Sequence, residues 1–128
     1  MARKTFAAGE VLTADNVNTY LSNEQDSAVS TATAYTVQTD DRYQVLFFTA
    51  ASAVAVTVGT ATAFEVGERV DIIQDGAGTV TITAGSGVTF GGAGTAGTAY
   101  TLNAQYDAAT VICKASNEYR VIGAITAV

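Results

Sequence analysis

The sequence predicts an all-β protein: an antiparallel β-sandwich or jelly-roll-like domain, preceded by a short N-terminal arm with one helix. Three observations lead there. Between Glu68 and Phe90, short alternating runs (Val70, Ile72; Val80, Ile82; Val88, Phe90) are cut apart by Asp75-Gly76-Ala77-Gly78 and Gly85-Ser86-Gly87. Alternation at period two, broken by glycine turns, marks half-buried strands in a meander. Runs of the same kind recur from Tyr35 to Ile125, while apolar spacing of the helical kind is confined to the first residues.

The arm, residues 1–22, carries that helix signal. Thr13 is a good N-cap, and Asp15 lies in the first turn, where the helix dipole favours an acid. Leu12 and Val17 have the spacing of a hydrophobic staple. Val17, Tyr20 and Leu21 then form an i, i+3, i+4 stripe. Two to three turns are marginal alone, so the helix must dock on its own domain or on another subunit. Phe6 and Gly9 suit an extended lead-in with an aromatic anchor. Residues 23–34 are small and polar and read as a linker.

Residues 35–128 form the β-domain. The expected strands are Tyr35–Gln38, Tyr43–Thr49, Ala53–Val58, Glu68–Gln74, Thr79–Thr83, Val88–Phe90, Tyr100–Leu102, Ala108–Lys114 and Tyr119–Ile125. In the third, Val54, Val56 and Val58 share one face; Ala53, Ala55 and Thr57 make the other face flat enough to sit against another protein. The run Val45-Leu46-Phe47-Phe48 is apolar on both faces, which places it centrally or under cover on both sides. Ser116-Asn117 is a hairpin turn, and the loop from Gly91 to Thr98 is a flexible or closely approached glycine segment.

Composition excludes more than it selects. Charged residues make up only 14%, so Thr, Ser, Asn, Gln and Gly must cover the surface, as in a subunit partly covered by neighbours. The six basic residues are scattered against a net charge of -6, which argues against nucleic acid and an anionic membrane as partners. No apolar run spans a membrane and the N-terminus lacks a signal core, so synthesis and first folding in a cytoplasm are expected. The chain lacks histidine, which removes serine–histidine and cysteine–histidine chemistry, and its single cysteine, Cys113, sits in an apolar strand as a small buried hydrophobe. With one cysteine and no histidine there is no zinc site.

Paired carboxylates are the remaining catalytic class, with Asp40, Asp41, Glu65, Glu68, Asp71, Asp75, Asp107 and Glu118 as candidates. Most lie at turns and strand ends, where solvated acids are ordinary, and no tryptophan offers a sugar platform. Asp40 and Asp41 with Asp75 would serve calcium only if their turns converged. Asp71 has Arg69 as its same-face neighbour and reads as half of a surface ion pair. Tyrosines at strand starts read as sandwich ends with wet hydroxyls. The expectation is therefore a non-enzyme without cofactor, metal or small-molecule substrate.

The opening Lys4-Thr5-Phe6-Ala7-Ala8-Gly9-Glu10-Val11-Leu12-Thr13-Ala14-Asp15-Asn16-Val17-Asn18-Thr19-Tyr20-Leu21 resembles the N-terminus of small virion structural proteins of tailed bacteriophages, especially those of actinobacterial hosts. The β-domain is similar to a phage module in Gly67, Val70, Ile72, Gln74, Gly76, Gly78, Val80, Thr81, Ile82, Ala84, Gly85, Gly87, Val88 and Thr89. The resemblance implies a virion structural protein, on the head as a decoration (cement) protein or on the tail, often a homotrimer and bound to the major capsid protein or another virion protein. Its arm would anchor through Phe6, Val11, Leu12, Val17, Tyr20 and Leu21. The chain stops at Val128 without fibre repeats, which favours decoration; the alternative is a minor tail, baseplate or fibre protein with a role in host adhesion.

Overall fold

Among the described residues, the first seven strands alternate strictly between two sheets. In the computed structural model, which describes residues 7–14 and 27–128, β1 (Ser27–Ser30), β3 (Val45–Phe48), β5 (Arg69–Gln74) and β7 (Thr89–Gly92) belong to one sheet. β2 (Ala34–Thr36), β4 (Val54–Val58) and β6 (Val80–Ala84) belong to the other. Then follow β8 (Thr95–Gly97), β9 (Ala99–Leu102), β10 (Ala108–Ala115), β11 (Glu118–Gly123) and β12 (Ile125–Ala127). The sheet orders are β1-β3-β5-β10-β11-β7-β8 and β12-β9-β6-β4-β2. The stretch expected to form the arm helix, from Asp15 on, and with it Val17, Tyr20 and Leu21, lies outside the described residues, as does Phe6.

The all-β class holds, but the sheets are mixed rather than antiparallel. β1 with β3, β3 with β5, β2 with β4, β4 with β6 and β7 with β11 all pair parallel. Parallel neighbours need a crossover, and for every parallel pair from β1 to β6 that crossover is a strand of the facing sheet; β7 reaches β11 through β8, β9 and β10. Half of each turn of chain builds one sheet and half the other, as in a short solenoid. This winding differs from the antiparallel Greek keys of a jelly roll.

The glycine segments explain the difference. Asp75-Gly76-Ala77-Gly78 is a corner from β5 to β6 between sheets, not a hairpin within one. The corner stacks on the previous one: the amides of Asp75 and Gly76 donate to Phe48 O at 2.9 Å, and Gly78 N donates to Ala50 O at 3.0 Å. A Cβ at Gly78 would lie 1.8 Å from Ser52 O, and one at Gly76 2.4 Å from Ala50 O. Only residues without a side chain allow corners to pack backbone on backbone. A sequence pattern marks such a glycine as a break in a strand but does not say whether the chain folds back in its own sheet or crosses to the next.

Two strands, and the first residue of a third, arise from residues read as flexible. Ser27–Ser30 and Ala34–Thr36 lie within or across the edge of the stretch read as a linker, and Thr95–Gly97 lies within the glycine loop. All three are edge or near-edge strands with small, mostly exposed side chains, so their alternation carries no hydrophobic signal. The predicted last strand is divided: β11 pairs with β10, and β12 moves to the facing sheet.

The core lies between the sheets. Leu46, Phe48, Val70, Ile72, Val111, Tyr119 and Val121 from one side meet Val54, Val56, Val58, Val80, Ile82, Tyr100 and Leu102 from the other, all buried. Phe90 packs between Tyr100 and Tyr119, with ring centroids 6.2 and 6.4 Å away. Tyr100 Oη donates to Thr95 O at 2.8 Å, and Tyr119 Oη accepts from Phe64 N at 3.3 Å. These hydroxyls are therefore satisfied inside the fold rather than wet, which corrects the expectation for both residues.

Candidate interaction surfaces

The described part of the arm stands clear of the sandwich. Ala7 to Ala14 are all exposed, with Val11 at 76% and Leu12 at 54%. A local turn shapes the segment: Glu10 N donates to Ala7 O at 3.1 Å, Ala7 N donates to Glu10 Oε2 at 3.0 Å, and Gly9 takes φ 81°. Two of the six expected anchors thus present apolar side chains to solvent, and the other four lie outside the described residues.

The outer face of the five-stranded sheet is the flat surface that the third expected strand suggested. Pairing registers align Ala34, Ala55, Thr81, Thr101 and Thr126 in one row and Thr36, Thr57, Thr83 and Ala99 in the next. Methyls and hydroxyls alternate there, and water wets such a surface readily.

The outer face of the seven-stranded sheet is greasier. One row reads Val29, Phe47, Ile73, Ala108; the next Ser27, Val45, Asp71, Thr110, Ile122; the third Arg69, Ile112, Arg120, Gly91. Phe47, Val45, Ile73 and Ile112 are half-buried, while Val29 is 70% and Ile122 52% exposed. In its middle Thr110 Oγ1 donates to Asp71 Oδ1 at 2.5 Å, beside a shallow hollow of about 340 Å³ lined by Val45, Ile73, Ala108 and Ile122. The sequence carried the signal in Leu46-Phe47-Phe48, Ile72-Ile73, Val111-Ile112 and Val121-Ile122. Consecutive apolar residues in a strand face both ways, but the pattern was recognised in β3 alone.

A larger open groove of about 770 Å³ runs over the β7–β8 hairpin and β11. Glycines and alanines line it together with Phe90, Val121, Ile122 and Ile125; Arg120 and Glu118 are its charged groups and they pair with each other at 2.9 Å. Arg120, then Lys114, holds the Glu118 carboxyl below the usual range. An open groove whose charged groups already pair with each other offers little to orient a small substrate.

The acids do not converge on chemistry. Asp40 and Asp41 flank one end of β5 and Asp75 the other, about 20 Å apart for six residues of strand. Among the described residues no three acidic or cysteine side chains group as a metal site. Asp41 is a staple: its Oδ2 accepts Tyr35 Oη and Gln38 N, both at 2.7 Å. Burial, then the bond to Asp41, pushes the Tyr35 hydroxyl up to about 12. Glu68 is a second staple, with Oε1 accepting Glu65 N at 2.7 Å and Oε2 3.4 Å from Arg42 Nε. Cys113 is buried, its thiol donates to Phe64 O at 3.2 Å, and burial pushes its pKa up, away from a nucleophile. No family model matches this chain, nor does any curated protein or solved structure.

Proposed function

We propose that this chain is a structural protein of a tailed-bacteriophage virion, a capsid decoration protein that holds the major capsid protein through its N-terminal arm. The observation that carries the reading is the projecting arm: Val11 and Leu12 stand in solvent in a segment that makes a turn of its own. Neighbouring apolar side chains exposed together are the kind of surface that a partner covers. The resemblance of Lys4 to Leu21 to virion proteins supplies the partner class, and a rigid β-domain whose buried acids are structural staples supports a passive role. The reading takes the protein as a non-enzyme without cofactor, located in the particle and assembled in the host cytoplasm as a homo-oligomer, a trimer if the resemblance holds in full.

Each anchor side chain that becomes fully buried contributes about 1.5–3 kcal/mol before ordering costs. Many copies on one shell make a weak site effective collectively. The test is the copy number per particle, by gel densitometry of purified virions. A decoration protein is present in hundreds of copies, on the order expected from shell symmetry. A few copies assign the chain to the tail or baseplate, and none removes it from the virion.

A further inference from the structure

The outer face of the seven-stranded sheet has a pattern that an exposed sheet does not need. Four adjacent strands, β3, β5, β10 and β11, each place an apolar residue on it: Phe47, Ile73, Ile112 and Ile122. Strands covered on one side alternate apolar with polar; strands covered on both sides do not. The face of the five-stranded sheet, in the same molecule, keeps its threonines. We infer that the seven-stranded face is the contact between copies of this chain.

Size and charge both favour a second copy as the occupant. Five strands at about 4.8 Å spacing and eight residues of β10 at about 3.3 Å each give a face of about 600 Å² in plan. Side-chain relief brings this near the roughly 800 Å² per partner of a standard interface. The apolar residues hold the centre. The charges gather at one end, where Arg69, Lys114 and Arg120 stand with Glu118, and both signs are present. Copies meeting on this face can therefore bring opposite charges together at a wet rim around an apolar centre, as interfaces between folded proteins do. Asp71 stays satisfied by Thr110 without help from a partner. The arm, with Val11 and Leu12, remains free for the virion.

The inference rests on the homo-oligomer of the proposed function but not on its capsid partner. It is tested on the isolated full chain, whereas arm anchoring is read on particles. Light scattering behind size exclusion is compared for the parent chain, Ile73→Lys, Phe47→Lys and, on the opposite face, Thr81→Lys. Circular dichroism and melting confirm that each variant folds, as half-exposed positions should allow. The expected result is an oligomeric parent and Thr81→Lys, with the other two variants dissociating at least about 30-fold more readily. Three results overturn it: a monomeric parent at about 100 μM, an oligomer indifferent to Ile73→Lys, or one broken equally by Thr81→Lys. If the parent is monomeric and Ile73→Lys deprotects amides 15–21 in hydrogen exchange, the chain's own arm covers the face instead.

Discussion

Gly78 shows how little room the fold leaves. Its missing side chain would meet Ser52 O at 1.8 Å, so Gly78→Ala forces two corners apart. The expected cost is at least about 2 kcal/mol in urea unfolding, the range of overpacked buried sites. Tyr106 is the opposite case. The residue is 73% exposed and its backbone takes φ 72°, so the side chain strains the backbone and gains little burial. Tyr106→Gly should leave stability unchanged or raise it by up to about 1 kcal/mol; a clear loss would mean that the ring packs against something. Tyr35 gives a pH prediction. Its hydroxyl titrates near pH 10 unfolded and about 12 folded, so the unfolded chain loses the proton first. The stability it contributes is full below pH 10 and is lost as pH rises from 10 through 12. Asp41→Phe is too disruptive to test this. Asp41→Asn keeps the shape and should lower the Tyr35 titration seen by ultraviolet absorbance.

At the level of elements, the strands with large side chains were legible and the small ones were not. Val54, Val56 and Val58 point inward as their spacing requires, and β10 and β11 join at Ser116-Asn117, where Asn117 takes φ 55°. β1 and β8 are built of Ser, Ala, Thr and Gly with only Val29 as a larger exception, and pairing to a neighbour, rather than burial, holds them; β2, expected at Tyr35–Gln38, begins one residue earlier. Nothing in residues 27–30 alone predicts that β3 will accept them as a parallel edge. The parallel winding was hidden for a related reason: a corner between sheets and a turn within one use the same glycines. Of the candidate surfaces, the Ala/Thr face could be read from spacing, whereas the broad apolar face needed four registers at once. Ile72→Ala, at the centre of β5 and fully buried, should cost about 2–5 kcal/mol, measured as a lower denaturant midpoint with unchanged slope.

Over the whole molecule, topology sets the folding rate. β5 pairs with β10 across more than thirty residues, and β6 with β9 across nearly twenty, so few contacts form locally. Such chains fold in milliseconds to seconds. The chain has no proline, and refolding should lack the phase of tens of seconds that proline isomerisation produces. A slow phase sped up by a prolyl isomerase would contradict this. The winding also separates the molecule's tasks: buried valines and tyrosines hold the body, while the arm and one sheet face carry unmatched apolar surface.

The measurement that bears most directly on the proposed role is cosedimentation of the chain with particles stripped of it, for the full sequence and for a form lacking residues 1–22. The account predicts that the full chain pellets with the particles and that the shortened one, still folded, stays in the supernatant. Equal binding by the two forms would contradict it, because the anchor would then lie in the β-domain and not in the arm.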